Sequence, residues 1–318
     1  MANDKNKELS NEQRKALTEH VLNALASGEP RMWSKSWDAA ALSPRNPITG
    51  TRYRGINRAW LSFVAMTRNY GDNRWYTFNE IRKQEGWRLR KGSKGSKVEK
   101  WGTRTVALTD EDGNPRLDED GNERTITYLY LQGMNTVFNG SCVEGLEPLT
   151  FEANQEDAEL FGIADALIGC IELHGKYVED MNDGAFFSPA NNLVHMPIRG
   201  TFDTARDFIA TLAHEFAHST QDARRMGRVN GDIDGEDSSY AFEELVAEMS
   251  ALFIQADLGF DSFGSVTENS LAYLQGWARK RVADGETVAL VAKAINTAQK
   301  VADWIIDLYE QVQEQAAA

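Results

Sequence analysis

The sequence predicts an α+β protein of two domains. A mixed α/β N-terminal domain with an antiparallel sheet spans 1–148, and a mostly helical C-terminal domain spans 149–318. Three observations predict it. The chain has 318 residues, about two domains of ordinary size. Its charge is split: residues 31–100 hold 16 Lys/Arg against 5 Asp/Glu, a local +11, while the whole chain carries −14 and the remainder −25. Strand-like alternation and Gly/Asn turns give way near residue 145 to almost continuous helical periodicity.

The elements follow in order. Residues 11–27 predict a helix, with a capping box at Ser10 and Gln13 and apolar Leu17, Val21, Leu22 and Leu25 at helical spacing. Pro47 and Gly50 mark a turn, and Gly55 adds freedom before a short helix over 57–69. RWYTFNEIRKQEG (74–86) reads as a strand end entering a helix. WRLRKGSKGSKVEKW (87–101) is a basic Gly/Ser turn between two Trp residues.

VALTD (106–110) and RTITYLYL (124–131) predict a hairpin, and MNTVFN (134–139) a further strand. The DG and GN pairs of 110–123 resemble a calcium loop. The glycine such a loop needs at its sixth position is missing, so an exposed turn is expected. Residues 145–157 form the boundary. Helices follow over 155–173, 201–220 (Asp203 as N-cap), 238–259 (stopped by Gly259), 267–283 and 286–312, with a strand pair at 186–197 ended by Pro197.

Composition excludes several classes. With 42% hydrophobic and 10% aromatic residues, the chain can build cores. No apolar run approaches the roughly 20 residues of a membrane span, and the polar N-terminus does not read as a signal peptide. Cys142 and Cys170 form no CxxC pair, which excludes a disulfide framework and a cysteine zinc site. The expected location is cytoplasmic.

His214-Glu215-Phe216-Ala217-His218 is an HExxH motif in a helical pattern. Residues i and i+4 share a helix face, so both histidines reach one ion, and Glu215 lies beside the water that ion would bind. Glu215 is then the general base. Glu244 and Glu248 stand four apart on the next helix. Glu244 reads as third ligand and Glu248 as the acid orienting a ligand histidine. Glu243 reads as a solvated charge. Zn2+ is the default from ligand type, and Mn2+ suits the same donors. Tyr240 and His195 are candidate donors to a developing oxyanion. The strand near 192–197 is a candidate edge for an extended peptide. His20 and His174 read as structural or surface residues.

Residues 31–100 hold ten aromatics, five of them Trp: Trp33, Trp37, Trp60, Trp75 and Trp87. Cations beside flat rings suit single-stranded DNA, where Lys and Arg follow phosphates and bases stack on rings. The contact candidates are Arg52, Tyr53, Arg54, Trp75, Tyr76, Arg88, Arg90, Lys91, Lys94 and Lys97. Gly92 and Gly95 would let backbone approach a phosphate. The competing expectation is that many of these rings are core.

NPITGTRYRGIN, RWYTFNEI, the KGSKG turn and TVFNGSCVEGL together resemble the N-terminal single-stranded-DNA-binding domain of ArdC-type antirestriction proteins, a domain similar to part of TraC-type plasmid primases. HEFAHST, the Arg-Arg-Met-Gly-Arg tail, YAFEELVAE and AYLQGWARK resemble the zincin-like metallopeptidase domain joined to it. The resemblance runs from about residue 11 to 312. It implies a protein of a conjugative plasmid or other mobile element that binds incoming single strands, acts on an unidentified protein substrate and opposes host restriction. One departure stands out: Gln221 replaces the glycine the family carries after the second histidine.

Three functions suit these parts. One is a DNA-directed zinc peptidase. Another is a DNA-coating module with a structural or vestigial metal site. The third is a protease that clears proteins crosslinked to DNA. The acids near 231–237 are expected to keep DNA off the peptidase half.

Overall fold

The computed structural model describes residues 2–27, 43–68, 70–110, 115–118, 121–147, 157–181, 184–202, 204–228, 236–259 and 268–317. Trp33, Trp37, Asp203 and the acids at 231–235 lie outside the described residues.

The first helix, α1 (Ala2–Ser27), begins well before the expected cap. Ser10 does not cap it. Its buried hydroxyl donates to Glu99 at 2.5 Å, and Gln13 donates to the Lys97 carbonyl at 3.0 Å. The polar pair that reads as a helix start is a contact to the sheet. The apolar stripe Leu17, Val21, Leu22 and Leu25 enters the core of the C-terminal half, where α1 meets the last two helices.

A ribbon of β1 (Arg45–Asn46) and β2 (Thr51–Arg52) leads into α2 (Gly55–Thr67). β3 (Trp75–Thr77) runs into α3 (Phe78–Lys83) through a capping box in which Thr77 and Glu80 satisfy each other's backbone donors. β4 (Arg88–Leu89) precedes the long β5 (Ser96–Ala107). Its partner β6 (Thr125–Asn139) is one strand where the sequence suggests two, because Gln132 is taken up as a bulge opposite Lys100/Trp101 while Gly133 stays in the ladder. The antiparallel sheet has order β3-β6-β5, and β7 (Val143–Glu144) pairs with β4. A small core of Leu61, Val64, Ala65, Trp75, Val98 and Val137 lies between α2 and this sheet.

The second half opens with α4 (Asp157–Glu172). A three-stranded sheet follows: β8 (Lys176–Asp180), β9 (Phe186–Ser188) and β10 (Leu193–Pro197), in order β8-β10-β9. β8 carries too many charges to read as a strand, yet it pairs parallel to β10. β10 is therefore the central strand and not an edge. The free edge on the side of the next helix is β9, since both β9 and β10 pack on α5 (Ala205–Ser219).

Thr204 caps α5 by accepting from the Asp207 backbone N–H. Then come α6 (Glu236–Asp257), α7 (Glu268–Arg279) and α8 (Gly285–Ala317). Every residue of α6 from Ala241 to Ala256 is buried, which makes it the axis of the domain. Phe208, Phe216 and Phe242 are fully buried around it, each contributing about 1.5–3 kcal/mol. No helix of the described residues is long and apolar enough to cross a membrane.

Candidate metal centre and nucleic-acid face

α5 and α6 lie side by side and present the HExxH motif to Glu243, Glu244 and Glu248 of α6. His214 and His218 sit one turn apart, with their Nε2 atoms facing at 3.0 Å. Glu244 Oε2 lies 3.6 Å from His214 Nε2, and Oε1 lies 3.7 Å from His218 Nε2. One donor atom from each of the three residues falls within 4.8 Å of the others. Glu215 is buried beside them on α5.

The far nitrogens also meet carboxylates. His218 Nδ1 bonds to Glu243 Oε1 at 3.0 Å. His214 Nδ1 approaches Glu248 Oε2 at 3.5 Å, an electrostatic contact too long for a strong hydrogen bond. Glu243 is thus no solvated charge. Arg228 donates to it at 2.6 Å, and also to the Ala217 carbonyl and to the Thr220 hydroxyl at the end of α5. Sequence reasoning missed both residues. A signal existed for Glu243: its helix is apolar on every face, which leaves no solvated side. Arg228 follows an irregular turn, and nothing in spacing aims it at the site.

Burial alone would depress both imidazoles. At His218 the hydrogen bond to Glu243 and the nearby Glu244 carboxylate outweigh it and hold the pKa at about 8. At His214 the contacts to Glu244 and Glu248 hold it well above its usual value. Burial would raise Glu244, but the two histidines pull it far below the carboxylate range. Hydrogen bonds to His218 and Arg228 likewise hold Glu243 at about 2 against burial. The cluster is a buried, strongly cation-seeking site. Glu244 Oε2 and His214 Nδ1 are buried without a hydrogen-bond partner, and orphaned atoms of this kind cost about 1–3 kcal/mol each. Two imidazoles and a carboxylate left in this state fit a divalent ion.

His195 is buried on β10 with both ring nitrogens engaged, Nδ1 by the Gly184 carbonyl at 2.8 Å and Nε2 by Asp180 at 3.0 Å. It stacks on Phe186. These contacts hold it in the sheet and leave no nitrogen for a substrate. Tyr240 is exposed one turn before Glu244. Gln221 fits the end of α5 without strain, because the turn there is right-handed and its N–H bonds to the His218 carbonyl. His20 packs on Phe63 and His174 near Trp304, as structural residues.

The aromatic DNA candidates divide sharply. Trp75 and Tyr76 are 0% and 1% exposed. They are core and have no face for a base, which corrects the expectation. Tyr53 is half-buried against that core, and burial pushes its hydroxyl up to about 12. Arg54 is ion-paired with Asp303 of α8. Arg52, Arg88, Arg90, Lys91 and Lys94 are exposed, and Lys97 is half-buried on β5. Gly92 takes a left-handed φ of 85° in the basic turn. Gly95 has a packing reason, since a Cβ there would lie 2.5 Å from Thr136.

Fold and centre together define a zincin-like domain joined to a smaller domain with a basic turn. A zincin-like metallopeptidase profile matches residues 165–308, and the N-terminal domain of anti-restriction factor ArdC matches 11–138. The metal-free crystal structure of the antirestriction ArdC protein from plasmid R388 superposes with a TM-score of 0.67 at 30% identity, over 94% of this chain and 98% of that one. Its Mn(II)-bound form gives 0.63 at 29%, over 93% and 97%. The chain belongs to the ArdC family of antirestriction proteins. It is also 29% identical to a DNA primase TraC of Escherichia coli over 313 residues, 94% of this chain but 27% of the primase. The chain thus spans about a quarter of that relative's length.

Proposed function

We propose that the chain is a metal-dependent peptidase directed by single-stranded DNA, carried by a mobile element and protecting incoming DNA from host restriction. The observation that carries this reading is the buried His214–His218–Glu244 cluster, whose donor atoms gather within 4.8 Å of one another with Glu244 Oε2 left without a hydrogen-bond partner. His214, His218 and Glu244 hold the ion, zinc by ligand type and manganese by analogy with the R388 protein. A bound divalent ion lowers the pKa of water and polarises a peptide carbonyl.

The chain's own residues do the rest. Glu215 takes the water's proton and returns it to the leaving amine. Tyr240 donates to the carbonyl oxygen. Glu243 and Glu248 orient His218 and His214 from behind. The free edge of β9 aligns an extended peptide. Arg52, Arg88, Arg90, Lys91 and Lys94 follow the phosphates, and DNA binding raises the local concentration of strand-bound protein substrates.

Both imidazoles must be neutral to hold an ion, while His218 keeps its proton up to about pH 8. Metal affinity is therefore expected to rise with pH to about 8, with protons released on binding below that. Isothermal titration in buffers of different ionisation enthalpy counts them, and zero release at pH 6.5 would contradict the raised pKa of His218. The sign for folding is opposite. The raised His218 stabilises the metal-free fold fully below about pH 6.5, and that stabilisation is lost as pH rises through 8.

The whole reading is tested by transfer of unmodified DNA into a restricting host. An Arg88→Ala/Lys91→Ala protein is expected to protect poorly and to bind single strands with a salt slope shallower by about one to two. Unchanged slope and full protection would remove these residues from the interface.

A further inference from the structure

The burial of Trp75 and Tyr76 removes the two rings expected to stack bases beside the basic turn. The hairpin that follows supplies others. Beyond the bulge, β5 and β6 leave the body of the domain as an arm, and nearly every residue of 101–107 and 125–132 is exposed. Tyr128 and Tyr130 stand 42% and 37% exposed. They are two apart on one strand, so they share a face at a spacing of about 6.7 Å. Arg104 pairs directly with Tyr128 in the ladder, and Gly102 with Tyr130.

Charge selects the occupant. Residues 96–108 and 124–136 contain four cations, Lys97, Lys100, Arg104 and Arg124, and one acid, Glu99. That acid is buried and committed, accepting from Arg14, Ser10 and Trp101. Beyond the bulge the charged side chains are Arg104 and Arg124, so between the bulge and the acidic tip the accessible charge of the arm is positive. Exposed rings interleaved with unopposed cations suit a strand whose bases are free to stack and whose phosphates need neutralising. A protein segment would gain from the rings but not from this charge.

We propose that this arm is the stacking platform for single-stranded DNA. Tyr128 and Tyr130 take the bases of successive nucleotides, and Arg104 meets the phosphate between them. The strand then runs back along β5 toward Lys94 and Lys91. Asp110, Asp118 and Glu123 bound the platform at its far end. This inference rests on the single-strand-binding reading above and names where the bases go.

The test is fluorescence anisotropy of a labelled oligothymidine with the full chain. Tyr128→Ala/Tyr130→Ala is expected to lose at least about tenfold in affinity, with its salt slope unchanged. Tyr128→Phe/Tyr130→Phe should bind as the parent does, because the rings remain. Arg104→Ala should flatten the slope by about one. Matching melting temperatures confirm that the variants fold. If the parent binds and the double Ala variant binds equally well, the platform is wrong while the DNA-binding reading stands. Equal DNA affinity combined with lost protection would likewise overturn it, in favour of a protein partner on the arm. If the parent binds no single strand, both readings fail.

Discussion

Glu215→Gln is expected to keep the fold and the metal and to lose proteolysis by about 10²–10⁴-fold, the usual worth of a positioned general base. Glu215 is buried next to His214 on α5, and its amide isostere fills the same space. The variant removes a negative charge that helps hold a proton on His214. The three ligands stay in place, so metal should still bind, and the loss falls on proton transfer. Cleavage of a strand-bound protein, read beside metal titration, checks it. A variant that cleaves at the parent's rate would show that Glu215 is not the base. One that loses both metal and cleavage would show that it acts as a ligand.

The second large effect concerns stability. Arg58→Ala is expected to destabilise the protein by about 3–5 kcal/mol, because it breaks a largely buried ion pair and leaves the Asp257 carboxylate without its cation. Arg58 is 2% exposed. It grips Asp257 at the end of α6 through two hydrogen bonds of 3.0 and 3.1 Å. It also donates to the Phe253 carbonyl and lies 4.2 Å over that ring. Gly55 starts the same helix at a φ of 52°, where a Cβ would strike the Asn296 side chain of α8. α2 of the N-terminal half is thus anchored to the helix that carries Glu243, Glu244 and Glu248. Urea unfolding measures the loss. Arg58→Met with Asp257→Leu should recover part of it, since both charges then leave together. A loss below about 1 kcal/mol for the single variant would mean that the pair is solvated and holds nothing.

Much of the centre is legible in the sequence because helical spacing is rigid. Four residues separate His214 from His218, and Glu244 from Glu248, and in a helix that separation fixes a shared face. The helices of the C-terminal half are legible for the same reason. What escaped has physical causes. Ser10 and Gln13 have the chemistry of a cap but spend it on the sheet. β8 reads as charged, yet Glu179 at its end accepts from both Tyr177 and Arg199. Trp75 and Tyr76 have the composition of a stacking surface, and only packing shows which rings face inward. Arg228 reaches Glu243 across an irregular turn, where sequence carries no periodicity at all.

The central claim is that His214, His218 and Glu244 hold one divalent ion. The most direct test is a crystal of the metal-soaked protein, with the ion located by anomalous scattering. The account expects a single strong peak bonded to one nitrogen of each histidine and to the Glu244 carboxylate, and no peak there in Glu244→Gln. A peak at other residues, or one that persists unchanged when Glu244 is replaced, would contradict it.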